Sequence, residues 1–311
     1  MAIVRVLVGL PGSGKSTYAA ELRERGWMVN SSDAIREELY GTADEQSHND
    51  EIFNAMYRRT VNGIVAGLNV CYDATNLSSK RRAALIKNFK SNKSIPSDTR
   101  YEVAVIATPY TECLKRNLAR ERHVPAYVIH SMMKRFEMPA DWEGWDEILV
   151  FGNNNPAGVM HFNELLKIAE HLSQDNSHHT LTVGGHMEKA SALYFCDNFT
   201  KDFDRNIAYA LLYHDIGKIY CKQFRDSRGN PSDEAHFYNH ENVSAYLYLS
   251  LLAIANINGE LRENDMEIIQ LIQHHMDFYK DKKYLEKILQ RYGQDFMNKL
   301  AILHIYDSQA H

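Results

Sequence analysis

The octapeptide Gly9-Leu-Pro-Gly12-Ser13-Gly14-Lys15-Ser16 has the composition and spacing of a phosphate cradle. Its glycines let consecutive backbone N–H groups converge on phosphate oxygens, and a helix opening behind them adds its positive end. Lys15 is spaced to reach the β- and γ-phosphates, and the Ser16 hydroxyl can take a Mg²⁺ ligand position. Gly12, Ser13, Gly14, Lys15, Ser16 and Thr17 are therefore predicted to hold the phosphates of a nucleoside triphosphate, ATP, with Mg²⁺. A glycine-rich turn can also bind nothing, and the flanks decide. Ile3–Val8 is an apolar run that reads as a buried parallel strand, and Thr17-Tyr-Ala-Ala-Glu-Leu reads as a helix. Strand, turn and helix in that order give the pattern its mechanism.

A second set follows. Asn30-Ser-Ser-Asp33-Ala-Ile-Arg36 comes directly after a predicted strand. The strand ends of a parallel α/β sheet converge on a ligand, which places Asp33 near the γ-phosphate as a candidate general base. Arg36, one helical turn on, shares that face and can grip an acceptor phosphate. Alone, the pair reads equally as a helix N-cap and a solvated arginine. Asp73-Ala-Thr75-Asn76 follows the next strand and leads into Lys80-Arg81-Arg82, otherwise a turn and a solvated basic helix start. Lys115-Arg116-Asn-Leu-Ala-Arg120 places two arginines on one predicted helix face ahead of Val124-Pro125. That is the layout of a basic lid over polyphosphate, although a salt-bridged surface helix looks similar.

The second half is rich in histidine, with most of the fifteen beyond position 160. Tyr213-His214-Asp215-Ile-Gly217-Lys218 ends an apolar helix. His186 lies upstream; His240, the His274-His275 pair and Asp307 lie downstream. A lone histidine on an apolar helix is usually a satisfied core residue. An ordered H…HD…H…HH…D set instead supplies imidazole and carboxylate ligands for one or two divalent transition ions, with Mn, Fe, Ni and Co all suited. Spacing does not decide between His274 and His275. His178, His179 and His236 receive no role, and Asp202-Phe-Asp204 is rejected as a phosphatase nucleophile because its context is polar and it lacks a following threonine.

The elements that must position these residues change character midway. Strand candidates 4–8, 28–30, 69–72, 101–107 and 148–151 alternate with amphipathic stretches, as in an α/β fold with a parallel sheet. The turn-rich segment 151–158 marks a boundary, giving domains 1–152 and 157–311. After it only helical periodicity stands out, so the second domain is predicted to be all-α. A 311-residue chain exceeds what one core usually organises. The net charge of −5 argues against nonspecific coating of nucleic acid but leaves room for a local basic cleft. Cys71, Cys113, Cys196 and Cys221 are scattered without a C-x-x-C pair. Reduced thiols, no signal segment and no bilayer-length apolar run predict a cytoplasmic protein without a membrane partner.

Taken together, residues 1–152 resemble the kinase domain of phage-type polynucleotide 5′-kinases. The likeness runs through the P-loop, N-S-S-D-x-x-R, D-x-T-N with its basic follow-on, K-R-N-x-x-R and the Met-rich helix after Val124-Pro125. It implies Lys15 and Ser16 on ATP and Mg²⁺, Asp33 as base on a 5′-hydroxyl, and Arg36 on the acceptor's 3′-phosphate. It also implies Arg116 and Arg120 on the donor phosphates, with Asp73 supporting from behind. The region from His161 to Asp307 resembles the HD-domain metallo-phosphohydrolases, and H-D-I-G-K with F-Y-x-H-E is similar to the HD domain of some bacterial tRNA nucleotidyltransferases. That likeness implies His186, His214, Asp215 and Asp307 around one metal, His240 with His274 or His275 around a second, and Lys218 near a substrate phosphate. The combination is that of an end-healing enzyme acting on RNA or DNA ends: a 5′-hydroxyl kinase joined to a 2′,3′-cyclic phosphate and 3′-phosphate phosphatase, working beside a separate RNA ligase. A nucleotidase with a nucleotide-sensing P-loop domain and a small-molecule kinase are the rival readings.

Overall fold

The computed structural model describes residues 1–310 apart from 45–46, 153–156, 178–179, 200–202 and 255–260. Most of the turn-rich boundary segment, His178, His179 and Asp202 thus lie outside the described residues. The chain's described residues form two compact units, one within 1–129 and 139–152 and the other within 130–138, 157–254 and 261–310.

The first unit is built on five parallel strands: β1 (Ile3–Val8), β2 (Met28–Ser31), β3 (Val70–Asp73), β4 (Arg100–Ile106) and β5 (Glu147–Phe151). Their order is β2-β3-β1-β4-β5. The helices between them are α1 (Lys15–Glu24), α2 (Ser32–Tyr40), α3 (Asn49–Val65), α4 (Ser79–Ser91) and α5 (Tyr110–Leu118). β1 is central and nearly solvent-free at Val4, Val6, Leu7 and Val8, as expected for a strand covered on both faces. Register aligns the site. Val6 pairs with Tyr72, and Asn30 and Ser31 pair with Tyr72 and Asp73. Gly9 and Asp33 just past β1 and β2, and Asp73 at the end of β3, therefore lie on the same side of three adjacent strands, where ligands bind in open parallel sheets. α6 (Ala126–Met133) follows α5 in the chain.

The second unit is helical: α7 (Ala157–His171), α8 (Val183–Asn198), α9 (Arg205–Tyr213), α10 (Lys218–Cys221), α11 (His240–Ile254), α12 (Glu263–His274) and α13 (Lys282–Gln309), the last interrupted at Gly293. The expectation of an all-α second half needs correction. Gln223–Arg225 (β6) and Pro231–His236 (β7) form an antiparallel hairpin. Its turn closes where Asp226 Oδ1 accepts the N–H groups of Arg228 and Asn230 and Gly229 takes φ +87°. Its strands carry no apolar alternation, so periodicity could not reveal them.

Candidate functional site

At the end of β1 the chain enters a tight cradle. Gly9 N–H donates to Thr75 O at 3.2 Å, joining the loop to the segment after β3. Gly12 has φ +82°, and a Cβ built there would stand 2.2 Å from Cys113 O, so only glycine fits. Gly14, at φ +105°, caps α1. Ser13 is buried, with its carbonyl accepting from Thr108 Oγ1 at 2.7 Å and its own hydroxyl unpartnered. Ser16 and Thr17 are exposed on the first turn of α1. Lys15 Nζ donates to Gly9 O and Leu10 O at 2.9 and 2.8 Å, folding back over the loop it must serve. Burial lowers its pKa, against the opposing pull of the Asp73 carboxylate. Asp73 is itself buried, and burial raises its pKa against the influence of Lys15.

Asp33 is exposed near this pair, and its charge acts on both Lys15 and Asp73. Arg36 is buried; its Nη1 donates to Asp33 Oδ1 at 2.8 Å and its Nη2 to Asn49 Oδ1 at 2.9 Å, leaving Nε unpartnered. Asn49, at the start of α3, thus fixes the guanidinium, a role that no motif announced. Arg122 also faces Asp33, 3.7 Å from Oδ2, while bonding Asp44 Oδ1 and Ala43 O at 2.5 and 2.6 Å.

The basic lid differs from its prediction. α5 stops at Leu118, so Arg120 lies past the helix end instead of sharing a helical face with Arg116. The Asn117 side chain ends the helix: its amide donates to Val124 O at 2.8 Å and its carbonyl accepts from Val124 N–H at 2.9 Å. Arg116 is paired with Glu112 at 2.8 Å, and its Nη1 would lie 3.6 Å from a Cβ placed on Gly14, beside the cradle. Arg120 is exposed, with its charge felt at Lys15 and Asp73. Arg82, in the basic run that reads as solvated, is fully buried. It forms a two-pronged pair with Glu143 at 2.7 and 2.8 Å and donates to Asn76 O and Leu77 O at 2.9 Å each. It holds the loop after β3 and has no surface for a ligand.

The second unit gathers its histidines around two carboxylates. His186 Nε2 and His214 Nε2 lie 2.8 and 3.1 Å from Asp307 Oδ1, and each 3.5 Å from Asp215 Oδ2. On the other oxygen, His240 Nε2 and His275 Nε2 lie 3.0 and 3.6 Å from Asp215 Oδ1. Asp215 therefore bridges two imidazole pairs. The remaining ring nitrogens point outward in a common way. Nδ1 of His186, His214, His240 and His275 bonds the carbonyls of Ala310, Leu211, Phe237 and Ile272 at 2.7–3.0 Å. A ring that gives its proton to a carbonyl keeps a bare Nε2 lone pair, which is how metal-ligating histidines are oriented. Within each pair the Nε2 atoms are 3.2 and 3.0 Å apart. One proton can serve one such contact, whereas one cation accepts several lone pairs at once. The donor set fits a divalent metal.

Lys218 Nζ lies 2.6 Å from Asp215 Oδ2 and donates to Gln174 Oε1 at 2.7 Å. Although burial works in the opposite direction, the Lys218 ammonium holds the Asp215 carboxyl well below the usual range. Gly217 packs so closely that an added Cβ would be 2.4 Å from His240 O. The adjacent histidines divide. His275 joins the cluster, while His274 turns away, with Nδ1 on Asp277 Oδ2 at 2.6 Å and Nε2 on Tyr292 Oη at 3.1 Å. His236 stacks on Tyr238 outside the cluster.

Residues 4–139 match the family described as AAA domain. Over that stretch a P-loop follows the central strand of a parallel sheet. L-seryl-tRNA(Sec) kinase of Methanococcus maripaludis is 28% identical to this chain, over 45% of the chain and 55% of that protein. The chain thus spans about half the length of the curated relative it matches. Among solved structures, a chain of the Pnkp1/Rnl/Hen1 RNA repair complex is 22% identical, covering 43% of each chain at a TM-score of 0.37. A putative kinase from Chloroflexus aurantiacus is 13% identical over 48% of this chain and 86% of its own, at a TM-score of 0.38. A fungal RNA kinase is also 13% identical, over 48% and 73%, at 0.35. Scores this low leave the fold resting on the sheet itself. No helix among the described residues is long and apolar enough to cross a membrane.

Proposed function

We propose that the chain is a nucleic-acid end-healing enzyme: an ATP-dependent kinase of 5′-hydroxyl ends joined to a metal-dependent phosphohydrolase of 2′,3′-cyclic and 3′-phosphate ends. The observation that carries the kinase half is Asp33, an exposed carboxylate at the sheet edge beside Lys15 and Asp73, backed by Arg36. A P-loop domain of this kind implies ATP and Mg²⁺. In this reading the cradle of Gly12, Ser13 and Gly14 and the Lys15 ammonium hold the donor phosphates, with Ser16 and Thr17 at the Mg²⁺ side. Asp33 orients the acceptor hydroxyl and takes its proton, Arg36 meets an acceptor phosphate, and Arg116 and Arg120 neutralise the transferred group.

For the helical unit, residues 157–311, His186, His214, Asp215 and Asp307 would hold one divalent ion and His240, His275 and Asp215 a second. When bound, such ions supply Lewis acidity, activating water and neutralising charge at phosphorus. Lys218 orients Asp215 and offers a cation to a substrate phosphate. His274, whose ring is engaged elsewhere, is left out of this ligand set. RNA is favoured over DNA because the curated relative is named for a tRNA-borne substrate, and an RNA ligase would consume the healed ends. A cytoplasmic location is part of the same reading.

One incubation tests it. An oligoribonucleotide with 5′-hydroxyl and 2′,3′-cyclic phosphate ends is treated with and without ATP, in Mg²⁺, Mn²⁺ or Ni²⁺, and both ends are read by mass spectrometry. The expected result is ATP-dependent 5′-phosphate and ATP-independent loss of the terminal phosphate. Unchanged 5′ ends would sink the kinase half, and unchanged 3′ ends the hydrolase half.

A further inference from the structure

Away from the imidazole cluster, the helical unit carries a cavity of about 240 Å³ between α9, α11 and the start of α12. Its wall is a file of tyrosines. Tyr209 and Tyr213 lie with ring centroids 6.4 Å apart and interplanar angle 19°, and Tyr213 and Tyr248 at 5.2 Å and 28°. Two exposed arginines stand at the rim. Arg205 lies over the Tyr209 ring at 5.0 Å, and Arg262 is paired with Asp265 at 2.9 Å. Leu251 and Ile268 supply apolar lining. Tyr213 borders the cavity and the next residue, His214, belongs to the cluster, but no residue of the cluster lines the cavity.

The lining selects a ligand class. Aromatic walls favour a flat, polarisable ring, and phenolic hydroxyls supply polar contacts along its edge. Guanidinium groups at the mouth favour an anion, phosphate above all. Sites for drug-sized ligands run to roughly 300–1,000 Å³, so this cavity takes something smaller. A nucleobase is of that smaller size, with its sugar phosphate left toward the rim beside Arg205.

We propose that this cavity binds a single nucleoside monophosphate unit, base inward along the tyrosines and phosphate on Arg205. The proposal stands apart from the end-healing reading, since it requires neither kinase nor hydrolase activity. The unit can be a free nucleotide or one residue of a strand, and the test separates these sources.

The full chain is photolabelled with 8-azido-AMP, and the labelled peptides are mapped by mass spectrometry, which separates this cavity from the P-loop. Label is expected on the peptides carrying Tyr209, Tyr213 or Tyr248. Arg205→Ala, at an exposed position, should reduce that label about tenfold while leaving the protein's melting temperature unchanged. Tyr209→Leu should reduce it as well. Competition by free AMP but not by an oligoribonucleotide identifies a free nucleotide, and competition by the oligonucleotide identifies a strand. Label absent from these peptides, or indifferent to both competitors or to both substitutions, overturns the site.

Discussion

The Nε2 atoms of His186 and His214 lie 3.2 Å apart, although each ring bonds a backbone carbonyl through its other nitrogen. Both lone pairs therefore face Asp307 Oδ1 and each other, an arrangement of acceptors that a cation resolves. Metal should stabilise the folded chain through linkage. At a free concentration a hundredfold above Kd the gain is about 2.7 kcal/mol. Calorimetry of chelator-treated protein with added Mn²⁺, Ni²⁺ or Co²⁺ should show the rise, and Asp307→Ala should lose most of it. A parent melting temperature indifferent to every ion would remove the metal site.

Lys15 and Asp33 should fail differently. Lys15→Ala removes a charge-assisted contact to the donor and should weaken both ATP binding and turnover. Asp33→Asn keeps the shape but not the base, so ATP should bind normally while transfer falls by about 10²–10⁴-fold. Titration calorimetry with ATP beside a 5′-phosphorylation assay separates the two. Normal transfer by Asp33→Asn takes Asp33 out of the chemistry.

Arg36 bears on substrate class. Its guanidinium is held between Asp33 and Asn49, one turn past the proposed base. A charge-assisted contact from it to an acceptor 3′-phosphate should contribute on the order of 1.5–3 kcal/mol, or about ten- to a hundredfold in affinity. Arg36→Ala should raise KM for a nucleoside 3′-monophosphate by that factor and leave KM for ATP nearly unchanged. A rise confined to ATP would turn the side chain toward the donor.

What the sequence makes legible here is local. The cradle could be read because its spacing, the strand before it and the helix after it occupy one continuous stretch. The convergence of Gly9, Asp33 and Asp73 could be read because each comes at the end of a predicted strand, and the strand ends of a parallel sheet meet at one side. Features set by distant partners were not legible. Arg82 reads as solvated because charged side chains are rarely buried unless paired, and its partner Glu143 lies 61 positions away. Arg120 reads as helical because nothing in the local periodicity shows that Asn117 will tie itself to Val124. The β6–β7 hairpin is too short and polar to give a period. His274 and His275 are identical in type and adjacent, so only the fold could distinguish their orientations.

Arg82 and Glu143 should prove more important to folding than to ligand binding. Both side chains are solvent-free, and Trp145 Nε1 adds a third donor to Glu143 at 2.9 Å. Removing one partner leaves the other charged and buried, so Arg82→Met should cost about 3–5 kcal/mol. Adding Glu143→Leu should recover part of that loss, with Trp145 and the carbonyls of Asn76 and Leu77 still lacking their partners. Urea melts of Arg82→Met, of Glu143→Leu and of the double variant measure the coupling. Additive losses would mean that the two groups act independently.

The neighbours His274 and His275 differ in direction and should differ in consequence. His275 Nε2 lies 3.0 Å from His240 Nε2 and its Nδ1 is fixed on Ile272 O. His275→Ala should therefore reduce the metal retained after dialysis and the thermal gain from added metal. His274 instead links Asp277 to Tyr292, tying the end of α12 to α13. His274→Ala should keep the metal content of the parent while losing about 1–3 kcal/mol of stability, because it takes one hydrogen-bond partner from Asp277, a buried carboxylate, and one from Tyr292. Elemental analysis and urea denaturation of the two proteins give four numbers that must cross in this way. Loss of metal in His274→Ala with retention in His275→Ala would reverse the assignment. Equal loss in both would mean that the segment responds as a whole, and the division of roles between the two rings would fall.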